Sequence, residues 1–108
     1  MRAIINGFRY DTAKAIKIGQ GGSDGYTSSS DFSYWSATLY RTPRAGRYFL
    51  AGAGGPMTRW AKSVENGRGH IGSEGIIPLE PQEAREWAER YLTTDEVEKG
   101  FAGMIEDA

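Results

Sequence analysis

Cysteine is absent from the 108 residues, and histidine occurs once, at His70. Disulfide scaffolds and thiol nucleophiles are thereby excluded, and a structural zinc site lacks its usual Cys and His ligands. No acidic run has the spacing of a calcium-binding EF-hand loop, so neither a metal nor a cofactor is expected. Long apolar runs are also missing: none approaches the roughly 18–20 residues of a membrane span. The opening Met1-Arg2-Ala3-Ile4-Ile5-Asn6-Gly7 breaks too early for a signal peptide. Small secreted domains commonly carry disulfides, so these absences together predict a soluble cytoplasmic protein without membrane contact.

Acidic residues are scarce in one part of the chain only. Residues 1–70 hold ten Lys or Arg against four Asp or Glu, a net +6, whereas residues 71–108 hold three against ten, a net −7. The whole-chain charge of −1 conceals this division. It fits either two C-terminal helices with solvated acidic faces or a surface of one sign made for a partner of the other.

What is present is the material of a folded domain. The hydrophobic fraction is 39% and the aromatic fraction 12%, and disordered chains are poor in aromatics. The length suits one domain, residues 1–108.

Ala3 to Tyr10 reads as a β-hairpin, because Asn6-Gly7 supplies the two positive-φ positions of a type I′ turn between apolar and aromatic flanks. Asp11 or Thr12 is suited to cap a short helix through Ile18, with Gly19 as its stop. A strand over Ile16–Ile18 is the competing reading, because Ile16 and Ile18 alternate with lysine. Residues 19–31 are Gly and Ser rich and predict a flexible loop within the one domain. Phe32–Thr42 is aromatic and β-branched, Pro43-Arg44-Ala45-Gly46 is a turn, and Arg47–Ala51 is the returning strand.

The spacing predicts a short helix over Met57–Val64, a glycine-rich loop over Asn66–Gly75 and a short extended segment at Ile76-Ile77. In Pro81–Leu92 the apolar residues Ala84, Trp87, Ala88, Tyr91 and Leu92 fall on one helical face, with Pro81 at the first position and Glu86 spaced to pair with Arg90. Thr93-Thr94-Asp95-Glu96 is a capping-box pattern for a second helix with the face Val97, Phe101, Met104 and Ile105. Gly100 and Gly103 weaken that helix by about 1 kcal/mol each relative to Ala. The predicted fold class is α+β: a small antiparallel β-sheet of hairpins packed against a C-terminal helical pair.

Three motifs invite a chemical reading. Gly52-Ala53-Gly54-Gly55-Pro56-Met57 resembles a phosphate loop but has no following Lys-Ser or Lys-Thr pair, so a glycine corner that lets Trp60 fold back on the sheet is favoured. A looser anion nest of backbone N–H groups is the other reading. Glu80, Glu83, Glu86, Glu89, Glu96 and Glu98 lie on faces that periodicity assigns to solvent, unlike the buried acid pairs of glycosidases. The third motif is Tyr40-Arg41-Thr42-Pro43-Arg44-Ala45-Gly46-Arg47-Tyr48, three arginines and two tyrosines on a β-ribbon. Arg binds anions bidentately, Tyr stacks, and a two-stranded ribbon fits a DNA major groove. Tyr40 and Tyr48 as half-buried cross-strand neighbours is the plainer alternative.

Several segments recur as a set: Ile4 to Thr12, Thr38 to Thr42, Gly46 to Leu50, Gly54 to Thr58, and Ile77 to Ala88. Together they resemble a group of small uncharacterised bacterial proteins associated with phages and mobile elements. The resemblance spans roughly residues 3–92 and transfers no functional residue. It implies a protein that occupies a host protein or nucleic acid, for example an inhibitor of a defence system such as an anti-CRISPR protein.

The leading expectation is a non-enzymatic binding protein whose host protein partner contacts Tyr40, Arg41, Arg44, Arg47, Tyr48, Arg59 and Trp60, or else the acidic helices. The alternatives are a nucleic-acid binder using Arg41, Arg44, Arg47, Arg59 and Lys62, and a small enzyme built on Asp31, Glu65 or His70.

Overall fold

The computed structural model describes residues 1–23, 34–55, 58–60, 62–63, 70–71 and 73–108. Its elements run β1 (Arg2–Ile5), β2 (Phe8–Asp11), β3 (Ile16–Gly22), β4 (Trp35–Arg41), β5 (Tyr48–Gly54), β6 (Lys62–Ser63), β7 (His70–Ile71), β8 (Ser73–Leu79), α1 (Pro81–Tyr91) and α2 (Thr94–Gly100). A 3-10 turn over Ala102–Met104 follows. Strands β3, β4, β5 and β8 form an antiparallel sheet in that order, while β1 pairs with β2 and β6 with β7. The two helices cover one face of the sheet and the β1–β2 hairpin covers part of the other, which is the α+β arrangement that the patterning predicts. Among the described residues no helix is long and apolar enough to cross a membrane.

The first hairpin turns where expected, with Asn6 at φ 52 and Gly7 at φ 82. The helix anticipated after it does not form. Asp11 Oδ1 accepts the Ala13 N–H at 2.9 Å, and the Asp11 carbonyl accepts from Lys14 and Ala15. That capping yields a single turn, after which pairing with β4 captures the chain. A bulge between Lys17 and Gly19 turns Ile18 toward the helices, where it packs against their core.

The strand then continues through Gly19–Gly22, where glycine content alone predicts a loop. The physical reason lies above it. A Cβ on Gly21 would sit 2.9 Å from Trp87 Cη2 and from Tyr91 Cβ, and one on Gly19 would sit 2.8 Å from Leu92 Cδ2. The glycines are the bed on which the helices lie. Residues 24–31 of the predicted loop, and Phe32 and Ser33 of the predicted strand, lie outside the described residues.

β5 likewise outruns its expected end and reaches Gly54, because Gly52 lies flat against β4: its Cβ would fall 2.7 Å from Ala37 Cα. No helix occupies the described part of Met57–Val64. The Thr58 hydroxyl donates to the Gly55 carbonyl at 2.8 Å and accepts the Trp60 N–H, and Lys62–Ser63 pairs with His70–Ile71 instead. Met57, Ala61 and Val64 lie outside the described residues. The loop expected over Asn66–Gly75 contains β7 and the start of β8.

Both helices begin as their sequences require. The Glu80 N–H donates to Glu83 Oε1 at 3.1 Å. Thr93 Oγ1 accepts the Glu96 N–H while Glu96 Oε1 accepts the Thr93 N–H, a reciprocal capping box. The expected Glu86–Arg90 pair is replaced by Arg85–Glu89 at 3.4 Å, since Glu86 accepts from Gln82 and Arg90 lies over the Tyr91 ring. Phe101 is buried beyond the end of α2 and stacks on Tyr48, whose hydroxyl donates to the Gly100 carbonyl at 3.3 Å.

Candidate binding surfaces

Strand alternation and one tight turn build a basic cleft. Tyr10 and Phe8 share the side of β2 that faces the sheet. Tyr10 meets Phe49 edge-on at 5.3 Å, whereas Phe8, 40% exposed, overhangs the turn between β4 and β5. That turn is held by the Thr42 N–H donating to the Arg47 carbonyl and the Arg47 N–H donating to Thr42 Oγ1, with Gly46 at φ 64. It sets the Arg47 guanidinium carbon 3.6 Å from the Phe8 ring centroid, a cation–π contact.

Between β2, the Asp11 turn and the β4–β5 turn lies a cleft of about 460 Å³. Arg9, Lys14, Arg44 and Arg47 line it, over walls that include Phe8 and Pro43. Asp11 is its single carboxylate and already accepts the Ala13 N–H. Among the described residues the ion pair found is Arg85–Glu89 on α1, so none of the four cations of the cleft is paired.

Two further depressions follow this cleft, each sharing walls with the one before. One of about 370 Å³ shares Phe8, Tyr10, Ala45 and Arg47 with it and is bounded on its other side by Pro78, Glu80, Pro81 and Glu83. The next, about 550 Å³, shares Leu79 and Glu83 with the second and runs along α1 past Glu86, Trp87, Arg90 and Tyr91. Trp35 and Arg59 form its opposite side. Trp35 lies 4.8 Å from Tyr91 and 6.2 Å from Trp87 between ring centroids, both edge-on. At contact distance the rings make a wall rather than an open cage.

The seven residues singled out from sequence are thus divided. Arg44 and Arg47 meet in the basic cleft, and Arg59 lies in the aromatic depression. Arg41 is exposed beside Gly46 and does not line the cleft. Tyr40 is half-buried and stacks on Phe49, while Tyr48 (8% exposed) and Trp60 (4% exposed) belong to the core on the helix side. A Cβ on Gly54 would lie 2.8 Å from Trp60 Cδ1, so the glycine corner does let Trp60 fold back on the sheet. Asp31 and Glu65 lie outside the described residues, and Lys62 and His70 are placed by their backbone in β6 and β7.

Sequence reasoning missed Phe8, Arg9 and Lys14. The available signal was the hairpin itself: a buried Tyr10 forces Arg9 outward, although nothing local shows that Arg9 would meet Arg44. No protein-family model, curated protein or solved structure matches the chain.

Proposed function

We propose that the chain is a non-enzymatic binding protein that holds an acidic surface of a protein partner in the cleft of Arg9, Lys14, Arg44 and Arg47. One observation carries this reading: among the described residues, four cations without ion-pair partners converge on a single concave surface with aromatic and proline walls. Arginines bind carboxylates bidentately, and arginine beside aromatic side chains is the composition of interface hot spots. Ile4, 70% exposed, and Phe8 add apolar area on the same hairpin. The resemblance to phage and mobile-element proteins supports a host protein as the partner and inhibition of a defence system, such as an anti-CRISPR role, as the use.

The test is capture from bacterial lysate on the immobilised chain and on its Arg44→Glu, Arg47→Glu variant. A host protein retained by the first and lost by the second supports the reading. No retained partner, together with turnover of a small molecule, would overturn it.

Nucleic-acid binding is the second reading, favoured by the Arg47–Phe8 stack, since both groups offer faces for bases. Its signature is affinity that falls steeply with salt as counterions are released. A gel shift at low salt that shows no complex rejects it.

A further inference from the structure

We infer that the partner enters as an extended peptide segment, its acidic end among Arg9, Lys14 and Arg44 and its basic end beside Glu80 and Glu83. The inference rests on the protein-binding reading of the basic cleft and adds the form and charge order of what binds there.

The three depressions adjoin pairwise through shared walls, first across the Phe8–Arg47 stack and then across Leu79 and Glu83. The line they trace changes sign. Four cations and one carboxylate border its first part. Glu80 and Glu83 border the second, opposite Arg47. The third is mixed, with Glu86 against Arg59 and Arg90, and its wall is aromatic.

A nucleic-acid strand carries negative charge at every nucleotide. Attraction in the first depression would turn to repulsion beside Glu80 and Glu83. A polypeptide reverses sign within a few residues, so it can match the whole line.

The shape favours an extended chain over a helix. A helix with its side chains is about 10–12 Å across and needs one continuous trough, whereas here the stacked Phe8 and Arg47 stand between the first two depressions. Along α1, Glu83 to Tyr91 spans about 12 Å at 1.5 Å per residue. Three or four residues of extended chain, at about 3.3 Å each, cover that length. The Trp35–Tyr91 wall then accepts an apolar or aromatic side chain beyond the basic end.

The experiment measures fluorescence anisotropy of the full chain with labelled twelve-residue peptides. The first has an acidic block, a proline-containing apolar centre, a basic block and a terminal aromatic residue. The second has the same composition with the charges intermixed, and the third is uniformly acidic. The block peptide is expected to bind at least tenfold more tightly than either of the others. Arg44→Glu and Glu80→Lys are each expected to weaken it at least fivefold, while Glu80→Lys leaves the acidic peptide unchanged or tighter. Circular dichroism establishes that both variants are folded.

Equal affinity for block and intermixed peptides, or tighter binding of the acidic one, would overturn the charge-ordered line. Weakening by Arg44→Glu in that same experiment would leave the basic cleft standing. Failure of every peptide to bind overturns the inference, and the lysate capture then judges the cleft independently. Displacement of the block peptide by an equimolar dodecamer of deoxythymidylate would overturn the choice of peptide over nucleic acid.

Discussion

The two faces of the four-stranded sheet are built on different terms. On the helix face, Leu39, Leu50, Trp87 and Phe101 belong to one continuous core, and glycines in β3 let the helices approach the backbone. On the hairpin face the buried set is Tyr10, Phe49 and Ala51, with Tyr40 stacked on Phe49. The first face holds the larger buried core. The second is partly open, and its rim carries Arg9, Arg44 and Arg47, which form no ion pair among the described residues. Separating the two keeps the cations of the proposed binding cleft away from the main core.

The largest expected contrast is between Phe101→Ala and Tyr10→Ala. The former should cost about 3–5 kcal/mol of global stability in urea denaturation, as for a fully buried aromatic. The latter should cost less globally and instead release the β1–β2 hairpin, seen as faster hydrogen exchange there with β4 and β5 still protected. Equal global losses would break the comparison.

Glycine substitutions sharpen it next. Gly21→Ala drives a methyl into Trp87 and Tyr91 and should destabilise by about 1–3 kcal/mol. Gly75→Ala meets nothing within 4 Å and should be neutral or stabilising by about 0.5–1 kcal/mol. Thermal denaturation of the pair measures both.

The cap of α2 comes third. Thr93→Ala should cost about 1 kcal/mol. The Thr93 backbone N–H, and then its hydroxyl, hold the Glu96 carboxyl below the ordinary carboxylate range. A carboxyl depressed in the folded state contributes stability that is present above its unfolded pKa and lost as pH falls through the folded one. The stability difference between the natural chain and Glu96→Gln should therefore be constant near neutrality and shrink below about pH 4.

The smallest effect is expected at the rim. Arg44→Glu should change stability by no more than about 0.5 kcal/mol while abolishing partner capture. A large loss of stability would mean that the cleft belongs to the fold rather than to binding.

The legibility of these features follows their range along the chain. Asn6-Gly7, the apolar spacing of α1 and the Thr93–Glu96 box act through neighbours a few residues apart, so they can be read from sequence. The glycines of β3 cannot. Glycine marks a loop when its backbone is free and a packing site when another element needs the space, and the sequence carries the same letter for both. Strand β3, weighed over Ile16–Ile18 only as the competitor of the Asp11 helix and not beyond Gly19, is a case of tertiary pairing overriding a local preference.

The residues of the basic hairpin are divided by the fold for the same reason. Residue order alone determined that Arg41, Arg44 and Arg47 would cluster near one turn and that an acidic helical pair would close the chain. Only the tertiary structure decided that Tyr48 and Trp60 turn inward, that Arg41 leaves the cleft, and that Arg9 and Lys14 enter it from another part of the chain. Charge is a property of a residue, but a binding surface is a property of residues brought together. That meeting is set by which sheet face each strand buries.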